Sequence, residues 1–162
     1  MAAIILRFLH LAQAGIAGYG LYVSSISITN LQKYEKRTKQ AAKYSQSAAD
    51  QLYKTRTTQS AGAVAILISL LTSLYLAFGS GYPSSSKLTL TLANAGMALI
   101  VRTYMLDFWR SSAKVPFVKG YNEAISRTGE VMDVLITLAV SWGVLGLAWA
   151  SATVLMRREA RL

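Results

Sequence analysis

The stretch AGAVAILISLLTSLYLAF, residues 61–78, decides the fold. It carries no charge. As a helix it rises about 27 Å at 1.5 Å per residue, close to the ~30 Å hydrocarbon core of a bilayer. Its reading is a transmembrane helix. Outward from it lie three more apolar blocks, at residues 2–28, 88–106 and 131–156. The block 88–106 contains Asn94 and Arg102, and 131–156 has Asp133 near its start. In the first block Arg7 precedes an apolar run, as in a signal peptide. That run continues through Leu21, Tyr22 and Val23 without a clear small-x-small cleavage pattern, so it reads as a retained helix. Across 162 residues, 53% are hydrophobic and mean hydropathy is +0.36. The expected fold is all-α: one polytopic membrane domain over residues 1–162, a bundle of about four transmembrane helices.

The connections differ in kind. Residues 30–59 are polar and basic and contain neither Gly nor Pro, so nothing stops them from being helical. Leu31, Tyr34, Thr38, Ala41, Ser45, Ala48 and Leu52 recur at steps of three and four, a weakly apolar helical stripe. This segment either lies on the membrane surface or extends the flanking helices as a hairpin. GSGYPSSS, residues 79–86, is a tight turn by composition and makes the second and third blocks antiparallel neighbours. Residues 110–130 contain Pro116, Gly120 and mixed charge. They read as a loop followed by a short interfacial helix around 121–127.

Net charge is +10. In a soluble chain that balance points to nucleic acid. Here the cations lie between apolar blocks, so they read as topology signals and as contacts for anionic lipid. With four crossings, 12 Lys/Arg fall on the side of the first and third connections and 5 on the side of the termini. The loop side, with residues 30–59, is therefore expected on the cytoplasmic or matrix face. The basic C-terminal run Arg157, Arg158 and Arg161 pulls the other way. Lys33, Lys36, Arg37, Lys39 and Lys43 are the candidate contacts for anionic head groups.

The candidates for chemistry are few. The chain has no cysteine and one histidine, His10, which excludes disulfides, thiolate metal sites and multi-histidine sites within this chain. His10 and Gln13 lie one turn apart. A lone histidine here either hydrogen-bonds across a helix interface, binds a pigment or haem shared with another chain, or relays protons. Asn94, Ala98 and Arg102 share one helix face. Arg102 either snorkels to the interface or pairs with Asp133, placed at the same depth on the fourth block. Ala14/Gly18 and Gly146/Ala150 are small-xxx-small pairs for close helix packing, within the bundle or against another subunit. Asp107, Glu123, Glu130 and Asp133 are interleaved with Arg110, Lys114, Lys119 and Arg127, the pattern of a solvated mixed-charge loop. Tyr75, Phe78 and Tyr82 mark one membrane boundary, and Tyr104, Phe108 and Trp109 the other. Trp142 and Trp149 lie deeper in the fourth block. No phosphate loop, dinucleotide fingerprint, nucleophile elbow, zinc-protease helix or glycosylation sequon occurs.

No catalytic residue, cofactor or metal ligand is therefore assigned. The profile is that of a structural or accessory subunit of a larger membrane complex, of the energy-transducing kind in a mitochondrial inner membrane. Its expected partners are anionic lipids and other membrane subunits, with no nucleic acid. A small transporter or channel, which needs polar residues lining a path, is one alternative. A membrane enzyme acting on a lipid-soluble substrate is the other.

Overall fold

The computed structural model describes residues 2–43, 46–79, 84–110 and 119–159. Among them are four helices and no strand: α1 (Ala2–Ala42), α2 (Gln46–Phe78), α3 (Ser84–Trp109) and α4 (Lys119–Glu159). Three stretches among the described residues are long and apolar enough to cross a membrane: Ile4–Lys33, Ala49–Phe78 and Glu123–Ser151. They lie in α1, α2 and α4. α3 falls short of that apolarity, and the strongly polar Asn94 and Arg102 within it lower its hydropathy.

The polar segment 30–59 is divided between its neighbours. α1 continues to Ala42 and α2 begins at Gln46. The lack of Gly and Pro lets both helices run past the apolar blocks. The expected short helix at 121–127 is not separate, which corrects the sequence reading: it forms the first turns of α4, continuous from Lys119 to Glu159. Gly120 sits at the helix start, where it breaks nothing. At 41 residues, α1 and α4 each rise about 62 Å, twice a bilayer core.

The helices run antiparallel in the cyclic order α1, α2, α3, α4. α1 packs on α2 and α4, and α3 on α2 and α4, while α1 and α3 do not touch among the described residues. The registers show direction: Ser27 meets Thr128 while Gln13 meets Ser141, and Thr58 meets Trp109 while Ser69 meets Asn94. Gly79 N–H donates to Tyr75 O at 2.7 Å and closes α2.

Two glycines set the spacing. A Cβ built on Gly20 would lie 2.6 Å from Val134 Cγ1 and 3.1 Å from Ile66 Cγ2. On Gly62 it would lie 2.9 Å from Met105 Sδ and 3.3 Å from Val131 Cγ1. Glycine therefore lets three helices close on one another at the bundle centre, where lipid supplies no hydrophobic drive and close packing does the work. Ile66, Met105, Leu135, Leu138 and Trp142 fill that centre.

The many hydroxyls are accommodated locally. Ser73 bonds Ser69 O at 2.7 Å, Thr103 bonds Leu99 O at 2.9 Å and Thr137 bonds Asp133 O at 2.8 Å. Thr91 bonds Lys87 O in the same way. A hydroxyl turned back onto its own helix needs no water, so these helices remain compatible with a nonpolar surround.

Candidate functional site

Helical spacing on α1 aligns His10, Gln13, Ala17, Gly20, Ser24 and Ser27 on one buried stripe. Its two ends are polar and its middle is apolar. The bundle therefore contains two polar layers.

The loop-side layer joins three helices. Ser27 Oγ lies 2.9 Å from Thr128 Oγ1 and donates to Ala124 O at 3.2 Å. Gln59 Nε2 donates to Thr128 Oγ1 at 2.6 Å. Beside it, Trp109 Nε1 donates to Thr58 Oγ1 at 3.0 Å, which brings in α3. On the outer surface nearby, Arg127 Nη1 donates to both carboxylate oxygens of Glu130, at 3.0 and 2.9 Å. Tyr19 Oη donates to Glu130 Oε2 at 3.4 Å.

The opposite layer joins all four helices. Gln13 Nε2 donates to Ser141 Oγ at 2.8 Å. Trp142 Nε1 donates to Ser69 Oγ at 3.1 Å, and Ser69 Oγ donates to Asn94 Oδ1 at 3.3 Å. Asn94 Nδ2 donates to Leu90 O at 2.9 Å. His10 is fully buried, its ring 5.9 Å from that of Trp142 and tilted 48° to it. Both imidazole nitrogens and Gln13 Oε1 lack a hydrogen-bond partner among the described residues. At the end of the layer Lys87 Nζ lies 4.7 Å from the centre of the Trp149 ring.

Between the layers lies an apolar belt of Ala17, Ile66, Val134, Leu135 and Leu138. From Gln13 to Ser24 it is about 16 Å deep at 1.5 Å per residue.

The sequence candidates are placed as follows. His10 and Asn94 stand in the terminal-side layer. Ala98 is buried beside Asn94's face, and Arg102 is half-buried with its Nε enclosed and unpartnered among the described residues. Asp133 is exposed on the outside of α4. Arg102 and Asp133 do not pair: the ion pair among the described residues is Arg127–Glu130. The inward positions of α4 at that depth belong to Val131, Val134 and Leu135, which turns Asp133 away from α3. Ala14 is buried, whereas Gly18 has nothing within 4 Å of an added Cβ. Gly146 packs against Leu92 of α3 at 3.2 Å, with Ala150 half-buried one turn on. Lys33 is exposed and bonds Asn30 Oδ1 at 3.2 Å, and Lys43 is exposed. The side chains of Lys36, Arg37 and Lys39 lie outside the described residues.

Sequence reasoning did not single out the Ser27–Gln59–Thr128 cluster or the close approach at Gly62. The signal for the first was the recurrence of polar residues at helical spacing from His10 to Ser27. Chemically, both layers lock helix register through directional bonds. No group of three His, Asp or Glu able to hold a metal ion occurs among the described residues. No protein-family profile, curated protein or solved structure matches the chain.

Proposed function

We propose that all four helices cross the membrane and that the bundle serves as a structural subunit of a larger membrane complex. The observation that carries the first part is how α3 is fastened. Along its length it meets α2 at Thr58, Gly62 and Ser69, and α4 at Gly146 and Trp149. A helix tied at every level to two membrane-spanning helices crosses with them. Asn94 is tolerated because Ser69 and Leu90 O satisfy it.

The scaffold reading rests on where polar chemistry is spent. Both polar layers bond helix to helix, and the core between them is apolar apart from the half-buried Arg102 of α3. A conducting path needs a continuous polar lining, so this interior favours a scaffold over a channel. The outer surface is apolar where lipid or a neighbouring subunit would lie: Phe8, Leu71, Phe78, Ile100, Val144 and Leu147 are all exposed. The ends of α1 and α2 beyond residues 28 and 60 reach roughly 20 Å past the apolar region at 1.5 Å per residue. They present Lys33, Lys43 and Lys54 to anionic head groups or an acidic partner. The excess of Lys and Arg supports a cytoplasmic or matrix face for this side. The mitochondrial inner membrane and an energy-transducing complex suit a small basic scaffold of this kind.

Extraction from the native source in mild detergent, followed by a native gel and mass spectrometry, tests this reading. A scaffold subunit migrates inside a large stoichiometric complex. Migration alone or as a small homo-oligomer overturns it.

A further inference from the structure

Arg102 and Asp133 are opposite charges at matched depth on adjacent helices, and they do not meet. Counted from the Thr128–Trp109 level, Asp133 lies about 7.5 Å and Arg102 about 10.5 Å along its helix at 1.5 Å per residue. Arg102 shares a stripe of α3, at i+3, i+7 and i+10, with Leu92, which contacts Gly146 of α4. It therefore stands beside α4. Asp133 belongs to a second stripe on the outside of α4, with Gly129, Ile136, Val140, Gly143 and Leu147. These positions alternate in steps of four and three, the seam that suits left-handed helix packing. Val140 and Leu147 are 60% and 72% exposed. A Cβ on Gly129 or Gly143 would meet nothing within 4 Å. A charge left facing lipid at this depth is costly and normally faces protein.

We propose that this face of α4 is the interface with a second copy of the chain, in which Arg102 of each protomer pairs with Asp133 of the other. A two-fold axis along the membrane normal keeps each residue at its own depth. The two charges differ by about 3 Å in depth at 1.5 Å per residue, within reach of an arginine side chain. Such an interface is self-complementary, and the pairing occurs twice. A lipid phosphate would satisfy Arg102 and leave Asp133 unmatched, whereas a second copy satisfies both. The open glycines allow the close backbone approach that membrane interfaces use.

The test uses the purified full-length chain in mild detergent, with oligomeric state read by light scattering. Wild type runs as a dimer. R102D and D133R each run as monomers, their dimer constants reduced by roughly a hundredfold, about tenfold for each lost pair. When the two single variants are co-expressed with different tags, they form a mixed dimer, because each supplies what the other lacks. An intramolecular pair would gain nothing from mixing. The chain has no cysteine, so Val140→Cys in the otherwise native protein gives an independent readout: it cross-links across the seam, while Ile68→Cys on the outside of α2 does not. A monomeric wild type, equal cross-linking at both positions, or folded single variants that fail to combine overturns the proposal. Because the purified chain is used, this outcome is separate from whether the native protein sits in a larger complex.

Discussion

Gly20→Ala places a methyl carbon 2.6 Å from Val134 Cγ1 and 3.1 to 3.2 Å from two carbons of Ile66. Carbon atoms prefer about 3.5–4.0 Å, so the overlap with Val134 is roughly 1 Å. Valine is β-branched and held in one rotamer within a helix, so it cannot swing aside, and α1 must move away from α4. Overpacking of this kind costs about 1–3 kcal/mol. The helix-propensity gain of alanine over glycine offsets up to about 1 kcal/mol of it. The expected net is a loss of about 1 kcal/mol, and Gly20→Val loses more. Gly18 is the internal control. It lies on the same helix two residues away, and its added Cβ meets nothing within 4 Å. Gly18→Ala therefore keeps the propensity gain and is neutral or stabilised by up to about 1 kcal/mol. The assay is unfolding in mixed detergent–SDS micelles, followed by tryptophan fluorescence and helical circular dichroism. Equal shifts for the two variants, or a more stable Gly20→Ala, would refute the claim that Gly20 sets the spacing of α1, α2 and α4.

The polar layers make further predictions on the same assay. Thr128→Val removes the acceptor of the buried Gln59 Nε2, while Ser27 Oγ keeps Ala124 O, and should destabilise by about 1–3 kcal/mol. Thr137→Val, exposed and bonded only to its own helix, should stay within about 0.5 kcal/mol. Ser69→Ala removes the acceptor of Trp142 Nε1 and the donor to Asn94 Oδ1. It should destabilise by a similar 1–3 kcal/mol and shift the tryptophan emission, whereas Ser151→Ala should do neither. Changing Lys33, Lys36, Arg37, Lys39 and Lys43 to Gln should remove about 1 kcal/mol of lipid attraction per charge. The readout is the number of anionic phospholipids that co-purify, which should fall, with helix content unchanged.

The membrane character of the chain was legible because residues 61–78 combine length with freedom from charge. The helicity of 30–42 and 46–59 was legible from the lack of Gly and Pro, and of the two expected arrangements the described residues follow the extension of the flanking helices. Where α1 gives way to α2 was not legible, because the composition of this run is uniform. The extension of α4 back to Lys119 was hidden by Gly120, a residue that breaks helices in their interior and is harmless at a start. Within the site, Asn94 was found because a polar group inside an apolar block stands out. The roles of Gly20 and Gly18 were not separable. Both lie on one helix, and the difference is the direction each faces relative to Val134 and Ile66. The Arg102–Asp133 pair failed for the same reason. Depth follows from residue counting, whereas azimuth depends on the packing of Val131, Val134 and Leu135.

The most direct test of the four-crossing bundle uses the cysteine-free background. Single cysteines are introduced at Lys43, Gly79 and Arg110, and each variant in sealed oriented membranes is treated with an impermeant thiol reagent. With four crossings, Lys43→Cys and Arg110→Cys label from one side and Gly79→Cys from the other. If Arg110→Cys labels together with Gly79→Cys, α3 does not cross and the four-crossing bundle is contradicted.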